Sequence, residues 1–371
     1  EDAREYFNQG CVEIMMMGMQ PTWSNLASVN FATAIELALT NGQKSTNLVT
    51  GPRTGELAAL DTFEKFLDAT CKQVSYQVSA PIEQALPALI ERRKKLYDPF
   101  GSLLMRDPLE RGADMYHFGT RYTAGWVVGG SALGTATDSL SAVKKFVYDE
   151  KIISLAELRD VLANNFAGRE DLRIMLERTT PSFGNDIDEV DEMAKALIDA
   201  FYAPVAAANE KYKDTPWRFI TSQFSYTSQI SVGEVVGAMP NGRLAREAIS
   251  DNSGPSQGKD IGGPTKLVNS MLKKGYEGVT GAYAFNIKFT PSVMKTNNGR
   301  AAMKNIIKRY FAGNGPQMQI NYVDSKTLRE AQKDPKKYSG LIVRVAGFCE
   351  YFANLDRQLQ DEIISRTEQG M

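Results

Sequence analysis

One stretch near the C-terminus constrains the fold most, because its hydrophobic period changes around a single glycine. This stretch runs from Leu341 to Gln360 and reads LIVRVAGFCEYFANLDRQLQ. It opens with an apolar, β-branched run that is typical of a buried strand: Leu341, Ile342, Val343 and Val345. From about Asp356 the pattern becomes helical, with apolar residues every four positions: Leu355, Leu359 and Ile363. The sequence therefore predicts that Gly347 lies in a short turn between a buried strand and a helix.

The segments around Gly347 carry a longer pattern. Arg344-Val345-Ala346-Gly347-Phe348 is followed by Gln360-Asp361-Glu362-Ile363-Ile364 and by Arg366-Thr367-Glu368. Together they resemble the C-terminal signature of the glycyl radical enzymes. That family includes pyruvate formate-lyase, diol and choline lyases, isethionate sulfite-lyase, arylacetate decarboxylases and alkyl- or benzylsuccinate synthases.

A radical centred on a backbone α-carbon explains why a glycine is needed there. The unpaired electron is delocalised between the amide nitrogen and the carbonyl, which requires a flat α-carbon. Only glycine lacks the Cβ that would crowd such a centre. Storage of the radical also requires the exclusion of water and oxygen. We therefore expect the turn at Gly347 to lie inside the protein; the simpler interpretation is a turn glycine that tolerates positive φ.

A second motif stands at the other end of the chain. Gly10-Cys11-Val12-Glu13 is similar to the cysteine loop of the glycyl radical enzymes, which in that family follows a long N-terminal half. The resemblance implies that this chain is the C-terminal half of such an enzyme, either as a fragment or as one subunit of a split enzyme. It also implies an α/β fold: half of a ten-stranded barrel surrounded by helices, with the two loops meeting at the centre. Hydrogen transfer between sulfur and an α-carbon works only at near-contact distance.

The division of the chain follows from a segment rich in Gly, Pro, Asn and Ser, residues 237–263, which we interpret as a long ordered loop and a domain boundary. Residues 1–238 are predicted to be the second part of the barrel domain, which carries the cysteine loop. Residues 239–371 are predicted to be the glycine radical domain. A Pro-Ser-Phe-Gly-Asn-Asp segment at residues 181–186 also resembles the family.

The predicted catalytic residues are Cys11, Glu13 and Gly347. In an extended segment residues i and i+2 face the same way, so Cys11 and Glu13 would face one cavity. The carboxylate can then take a proton from a substrate hydroxyl while a thiyl radical removes the neighbouring hydrogen. The alternatives are a buried structural cysteine and a solvated surface charge.

Three further residues are predicted to contact the substrate. Trp23 follows a methionine-rich run, residues 14–19, which either packs in the core or makes a tight apolar wall for the cavity. Arg218 and Gln223 belong to a stretch of alternating polar and aromatic residues that suits a barrel strand. Arg218 could clamp an anionic group with two hydrogen bonds, or form a surface salt bridge.

Local patterns also predict several helices. The stripes and caps place them at residues 31–39, from Thr54 through Cys71, from Ile82 to about Leu96, at 133–147, from 155 to Asn165, at 187–201 and at 301–311. Ser154 and Glu157 form a capping-box pattern at the start of one of them. Short strands are predicted at 284–291 and 317–323.

The composition limits the kinds of binding partner that the sequence favours. The chain has 371 residues, 43 basic and 44 acidic, with a net charge of −1, so neither nucleic acid nor a charged membrane surface is favoured as a partner. No apolar run reaches the length of a spanning helix, and we find no signal peptide, so we expect a cytoplasmic protein. Three scattered cysteines and one histidine, His117, favour neither a disulfide framework nor a metal site. The role of Cys349, two residues after Gly347, stays open between packing and an effect on the radical, as does the role of His117.

The resemblance implies an oxygen-sensitive lyase of anaerobic metabolism. A separate iron–sulfur, S-adenosylmethionine-dependent activase would install the radical at Gly347, so that no bound metal or organic cofactor is needed in this chain. The implied partners are the N-terminal half, the activase, a small-molecule substrate and a second copy in a homodimer. Cys-Val-Glu in place of two adjacent cysteines disfavours pyruvate formate-lyase itself.

The substrate is the most open point. The first expectation is C–S cleavage of a small anionic compound, similar to isethionate sulfite-lyase, because few polar residues follow the cysteine loop and Arg218 is available. Arylacetate decarboxylation, polyol or choline cleavage (C–C, C–O or C–N bonds) and addition to fumarate by alkyl- or benzylsuccinate synthases are the alternatives. A different class of hypothesis is a non-catalytic half-barrel that completes a partner chain.

Overall fold

In a computed structural model, the structure describes residues 1–9, 12–43, 49–123, 125–215 and 217–370. The strands are β1 (Tyr6–Gln9), β2 (Glu13–Met16), β3 (Ser24–Asn30), β4 (Gly125–Ser131), β5 (Arg218–Ser222), β6 (Asn286–Phe289), β7 (Gln319–Tyr322), β8 (Ile342–Arg344), β9 (Cys349–Tyr351) and β10 (Glu368–Gln369). The α-helices are α1 (Phe31–Leu39), α2 (Phe63–Lys94), α3 (Pro99–Leu103), α4 (Pro108–Arg111), α5 (Leu133–Val143), α6 (Leu155–Ala163), α7 (Glu170–Thr179), α8 (Asp188–Lys211), α9 (Ser228–Gly233), α10 (Pro264–Lys273), α11 (Asn297–Ala312), α12 (Ser325–Lys333) and α13 (Arg357–Ser365).

Two parallel three-stranded sheets form the frame of the molecule. Their strand orders are β3-β4-β5 and β10-β6-β7. A parallel bridge between Gln223 and Tyr283 joins the end of β5 to the segment that leads into β6. Parallel strands require long crossover connections, and helices supply them here. The predicted α/β class is confirmed.

The main core lies between the sheets and the long helices. Helices α1, α2, α5 and α8 pack together and bury large apolar side chains, among them Phe31, Phe66, Leu140 and Phe201. The other face of the β3-β4-β5 sheet contributes Asn25, Ser28, Val127, Gly129 and Ser222 to the lining of a cavity. That second face is where the candidate site lies.

A second, smaller core holds the C-terminal region. Val343 and Val345 pack with Phe352, Leu359 and Ile363. Asp356 caps α13 by accepting a hydrogen bond from the Leu359 N–H, at the residue where the sequence pattern predicts the start of the helix. The predicted direct step from strand to helix is wrong, since β8 first turns back into β9 as an antiparallel hairpin. Gly347 lies in the turn of this hairpin.

Local capping signals predicted several boundaries correctly. Helix α1 has the predicted bounds, and the capping box of Ser154 and Glu157 opens α6. Helix α8 starts one residue later than predicted and continues ten residues beyond residue 201.

Helix α2 is the clearest correction. Two helices were predicted, the first capped by Thr54, but one helix runs through both and its N-cap is Thr62. Pro81 and Pro87 lie inside it. Packing against α8 and β3 outweighs the local cost of two prolines, a tertiary effect that a local pattern does not contain. Among the residues that the structure describes, no helix is both long and apolar enough to cross a bilayer.

Candidate active site

The cysteine motif joins two short strands. Strands β1 and β2 pair as an antiparallel hairpin in which Gln9 lies opposite Glu13. Cys11 itself lies outside the described residues. Val12, the next described residue, is buried with Ala282 and Ala284 in a small apolar cluster against Phe224. The residue after the predicted thiol is therefore packed against the strand segment that precedes β6.

Glu13 faces a cavity of about 340 Å³. The side chain is half-buried, and one of its carboxylate oxygens accepts a hydrogen bond from the Val12 N–H at 3.1 Å. The lining is Glu13, Thr22, Trp23, Asn25, Ser28, Val127, Gly129, Ser222, Phe224 and Ala282. A carboxylate in a cavity with several hydroxyl and amide groups is suited to proton exchange with a polar substrate.

The floor of this cavity is one row of the β3-β4-β5 sheet. Ser28 pairs with Gly129, and Gly129 pairs with Ser222, so the three residues lie side by side across the strands. The register of β3 shifts between Asn25 and Ala27, which brings both Asn25 and Ser28 to the cavity face. Gly129 leaves the middle of the row open, because it has no side chain.

Strand alternation corrects one predicted contact. Ser222 and Phe224 line the cavity, whereas Gln223 between them points to the opposite side. There the Gln223 amide donates to the Tyr202 hydroxyl and accepts from Lys274 Nζ at 2.9 Å. Gln223 therefore lies in the buried layer between sheet and helices, and its predicted contact with substrate is not supported.

Arg218 also lies away from the cavity. It is exposed at the start of β5, and its guanidinium donates to backbone carbonyls of Tyr212, Lys213 and Thr215 just after α8. Those carbonyls belong to the turn that follows α8, so Arg218 holds the connection between α8 and β5. The geometry does not bring it to Glu13.

Trp23 lines the cavity, and its predicted contact with substrate stays a prediction. Its indole Nε1 is buried without a hydrogen-bond partner among the described residues. The sequence reasoning missed Ser28, Ser222 and Phe224. For Ser222 and Phe224 the signal is the alternation of side chains along β5 and the residues after it. Phe219 is buried in the main core, so residues an odd number of positions away face the other side of the sheet.

Gly347 lies in a tight, two-residue turn. The Val345 N–H donates to the Phe348 carbonyl at 2.9 Å, and Gly347 has φ of +78°, a region that favours glycine. Gly347 is half-buried in this chain, while Val345 and Ala346 are buried. Phe348 stacks on Tyr226 at a ring-centroid distance of 5.2 Å.

Side-chain amides tie this hairpin to the second sheet. The Gly347 N–H donates to Gln319 Oε1 at 2.7 Å. Asn321 Nδ2 donates to the Arg344 carbonyl at 2.7 Å, and its Oδ1 accepts from the Arg344 N–H at 2.8 Å. Asn286 Nδ2 donates to the Val345 carbonyl at 3.3 Å. Side chains of β6 and β7 thus attach the hairpin to the second sheet.

A buried charge cluster supports the same turn. Arg366 Nη1 donates to the Val345 carbonyl at 3.1 Å, and Arg366 Nη2 lies 2.9 Å from Glu362 and 3.7 Å from Asp251. Burial raises the pKa of the Glu362 carboxyl, and the Arg366 guanidinium opposes this shift. Each charge in the cluster therefore depends on its partners.

One strand segment contacts both Val12, which follows Cys11 in the sequence, and the glycine hairpin. Ala284 packs in the Val12 cluster, and Asn286, two residues further on, holds the Val345 carbonyl. Two residues of extended chain span about 7 Å. Val12 and the glycine hairpin therefore contact the same strand segment at positions two residues apart.

Comparisons with known proteins identify the family. The family description "Pyruvate formate lyase-like" matches residues 1–233, and "Glycine radical" matches residues 249–353. The chain belongs to the glycyl radical enzymes. The predicted membership is confirmed, and the predicted boundary at residue 238 stays a prediction.

The relatives among the glycyl radical enzymes are lyases and dehydratases. The chain is 35% identical to trans-4-hydroxy-L-proline dehydratase of Clostridioides difficile and 33% identical to isethionate sulfite-lyase of Bilophila wadsworthia. These alignments cover 100% and 99% of this chain but only 46% and 44% of the relatives. The chain thus spans less than half of the relatives it matches.

The fold agrees with that assignment. The glycerol-bound B12-independent glycerol dehydratase from Clostridium butyricum matches with a TM-score of 0.90 and 33% identity, over 100% of this chain and 46% of that structure. The prediction of an α/β fold that forms about half of a glycyl radical enzyme barrel is confirmed.

The remaining chemistry-bearing residues lie elsewhere. Cys349 is exposed on β9, where Arg344 Nη1 donates to its sulfur at 3.3 Å. His117 stacks on Tyr97, and burial raises the pKa of the Cys71 thiol to about 12. Three carboxylates converge within 4.8 Å, and Lys273 Nζ pairs with all three: Asp186, Asp188 and Asp191.

Proposed function

We propose that this chain is the C-terminal half of a glycyl radical enzyme that eliminates a leaving group from a carbon next to a hydroxyl-bearing carbon. The observation that carries the proposal is the cavity beside Glu13, which is lined by hydroxyl and amide groups. It is supported by the glycine hairpin, which is anchored to the strand segment that packs against Val12.

The proposed reaction balances with three groups of the protein. The radical at Gly347 takes the hydrogen atom of the Cys11 thiol, and the thiyl radical then takes hydrogen from the hydroxyl-bearing carbon of the substrate. Glu13 accepts the hydroxyl proton, which increases electron density at the carbon radical and expels the leaving group from the adjacent carbon. The product radical, now next to a carbonyl, takes hydrogen back from Cys11. No net oxidation occurs, and the radical returns to Gly347.

This scheme includes the predicted C–S cleavage. Isethionate carries a hydroxyl on one carbon and a sulfonate on the next, so sulfite would be its leaving group. A diol would lose water by the same steps, with a proton added to the departing oxygen. No Lys or Arg is present among the described residues that line the cavity, so a cation for the sulfonate would come from the N-terminal half. A substrate with a neutral hydroxyl leaving group needs no such cation.

The partners follow from the same proposal. The chain covers 44–46% of its dehydratase and sulfite-lyase relatives, which supports a partner that supplies the other half of the barrel. An S-adenosylmethionine and iron–sulfur activase would install the radical. Homodimer formation remains a prediction.

The test uses the enzyme assembled with its N-terminal half, activated without oxygen and offered isethionate, glycerol or 1,2-propanediol. Glu13→Gln should lower turnover of the accepted substrate by roughly 10²–10⁴-fold while keeping the glycyl doublet in the electron paramagnetic resonance spectrum. Glu5→Gln is the matched control, because Glu5 pairs with Arg106 at the base of the same hairpin. Full turnover in Glu13→Gln contradicts the role of Glu13. The absence of any doublet in the activated wild type favours the non-catalytic scaffold.

A further inference from the structure

The amide of Gly347 has an unusual partner. Its N–H takes no part in the hairpin ladder and instead donates to Gln319 Oε1 at 2.7 Å. The short distance marks a well-formed hydrogen bond. Gln319 is 3% exposed, so the acceptor of this bond is shielded from water, which would otherwise compete for it.

The backbone of Gln319 is fixed. It is the first residue of β7, it pairs in register with Asn286 of β6, and its N–H donates to the Phe285 carbonyl at 2.8 Å. Asn321, on the same face of β7, holds Arg344 at the base of the hairpin. The pairing of β7 with β6 therefore fixes Gln319, and Asn321 fixes the hairpin that carries Gly347.

The orientation of the Gln319 amide follows from its chemistry. The Gly347 N–H is a donor, so it must face the amide oxygen; the flipped orientation would place two donors together. This orientation leaves Gln319 Nε2 buried without a hydrogen-bond partner among the described residues. The amide thus keeps its oxygen on Gly347 although its nitrogen is left unsatisfied, a pattern that calls for a functional explanation.

The chemistry of an α-carbon radical supplies that explanation. The amide nitrogen stabilises the radical by donating its lone pair toward the α-carbon, while the carbonyl withdraws electron density. An acceptor that binds the N–H increases electron density on the nitrogen and so strengthens the donation. The same bond fixes the peptide plane between Ala346 and Gly347, which keeps the nitrogen orbital aligned with the radical orbital.

We propose that Gln319 is a positioning residue that tunes the stored radical through its hydrogen bond from the Gly347 amide. The inference rests on the proposed function, because it presupposes a radical at Gly347. Gln319 does not exchange hydrogen with substrate; it acts on the spin distribution and the lifetime of the radical.

The test is electron paramagnetic resonance and electron–nuclear double resonance of the activated, assembled enzyme. Gln319→Met removes the acceptor at similar size, and Gln319→Glu replaces it by a charged acceptor. In Gln319→Met the nitrogen coupling should fall, the α-hydrogen splitting should rise and the radical should decay several-fold faster. Gln319→Glu should shift both couplings in the opposite direction.

Asn321→Met is the matched control, since it loosens the same hairpin without touching the Gly347 N–H. It should change radical yield and leave both couplings unchanged. If Gln319→Glu, which preserves size and an acceptor, shows the couplings and decay of the wild type, or if Asn321→Met shifts them equally, the inference is overturned. Absence of a doublet in the activated wild type overturns the proposed function instead.

Discussion

At the scale of single residues, Gly347 meets two separate requirements. Its φ of +78° would disfavour any side chain, and the proposed α-carbon radical requires that no Cβ be present. The sequence alone could not separate these reasons, because both select glycine. The structure establishes the conformational requirement, and the chemical requirement of a radical stays compatible with it.

Substitution separates the conformational requirement from the chemical one. Gly347→Ala should lower the free energy of unfolding by roughly 1–2 kcal/mol, the cost of a left-handed non-glycine residue. Gly340→Ala is the control, because Gly340 has open space around it and no positive φ. Chemical denaturation of both variants measures the difference. Equal effects in the two variants would contradict the strain at Gly347.

A buried lysine predicts a dependence of stability on pH. Lys274 is fully buried beneath Gln223, and burial lowers its pKa to about 7. Between about pH 7 and pH 10 the unfolded chain binds more protons at this site than the folded chain, so the free energy of unfolding should rise with pH. The rise should be on the order of a few kcal/mol.

Lys274→Met should flatten that slope in denaturant titrations at several pH values. A residual slope should remain, because burial also lowers the pKa of Lys288 to about 8. If the free energy of unfolding of the wild type falls between about pH 7 and pH 10, burial does not lower the pKa of Lys274 as described.

At the scale of elements, side-chain hydrogen bonds attach the β8–β9 hairpin to the rest of the molecule. Arg366 binds the Val345 carbonyl and balances two buried carboxylates, Glu362 and Asp251. Arg366→Met should therefore cost about 3–5 kcal/mol, because it leaves buried charges without their partner.

The double variant Arg366→Met/Glu362→Gln should recover part of that loss, since it removes one of the stranded charges. A double-mutant cycle by urea unfolding measures the coupling. Additive effects of the two substitutions would contradict a coupled cluster.

Local signals predicted the elements better than their connections. Capping and periodicity were sufficient for α1, α6 and α13, because those signals reside in adjacent residues. The β9 strand was missed because Cys349, Glu350 and Tyr351 have no buried alternate face. The break expected in α2 did not occur, since the helix as a whole packs against α8 and β3.

The site shows the same limit. Two motifs predicted Glu13 and Gly347, but the partners of the hairpin, such as Gln319 and Asn321, come from distant strands that no local pattern connects. Gln223 was assigned to the wrong face because a single residue of register reverses a strand. Cys11 lies outside the described residues, so its predicted position stays a prediction.

At the scale of the whole molecule, the chain has open surfaces. The edge strands β3 and β7 have no further neighbour in the described sheets. The segment of α3 and α4 exposes large apolar side chains: Phe100 (74%), Leu104 (70%) and Leu109 (70%). Such surfaces are typical of protein interfaces, and we expect the proposed N-terminal half to cover them.

The central claim is that Gly347 and Cys11 exchange one hydrogen atom, and isotope exchange tests it most directly. A thiol exchanges its proton with solvent, so in D₂O the activated, assembled enzyme should carry deuterium from Cys11 to the α-carbon of Gly347. The α-hydrogen doublet in the electron paramagnetic resonance spectrum should then collapse in the wild type and persist in Cys11→Ala. A doublet that persists in the wild type, or collapses equally in Cys11→Ala, would contradict the account.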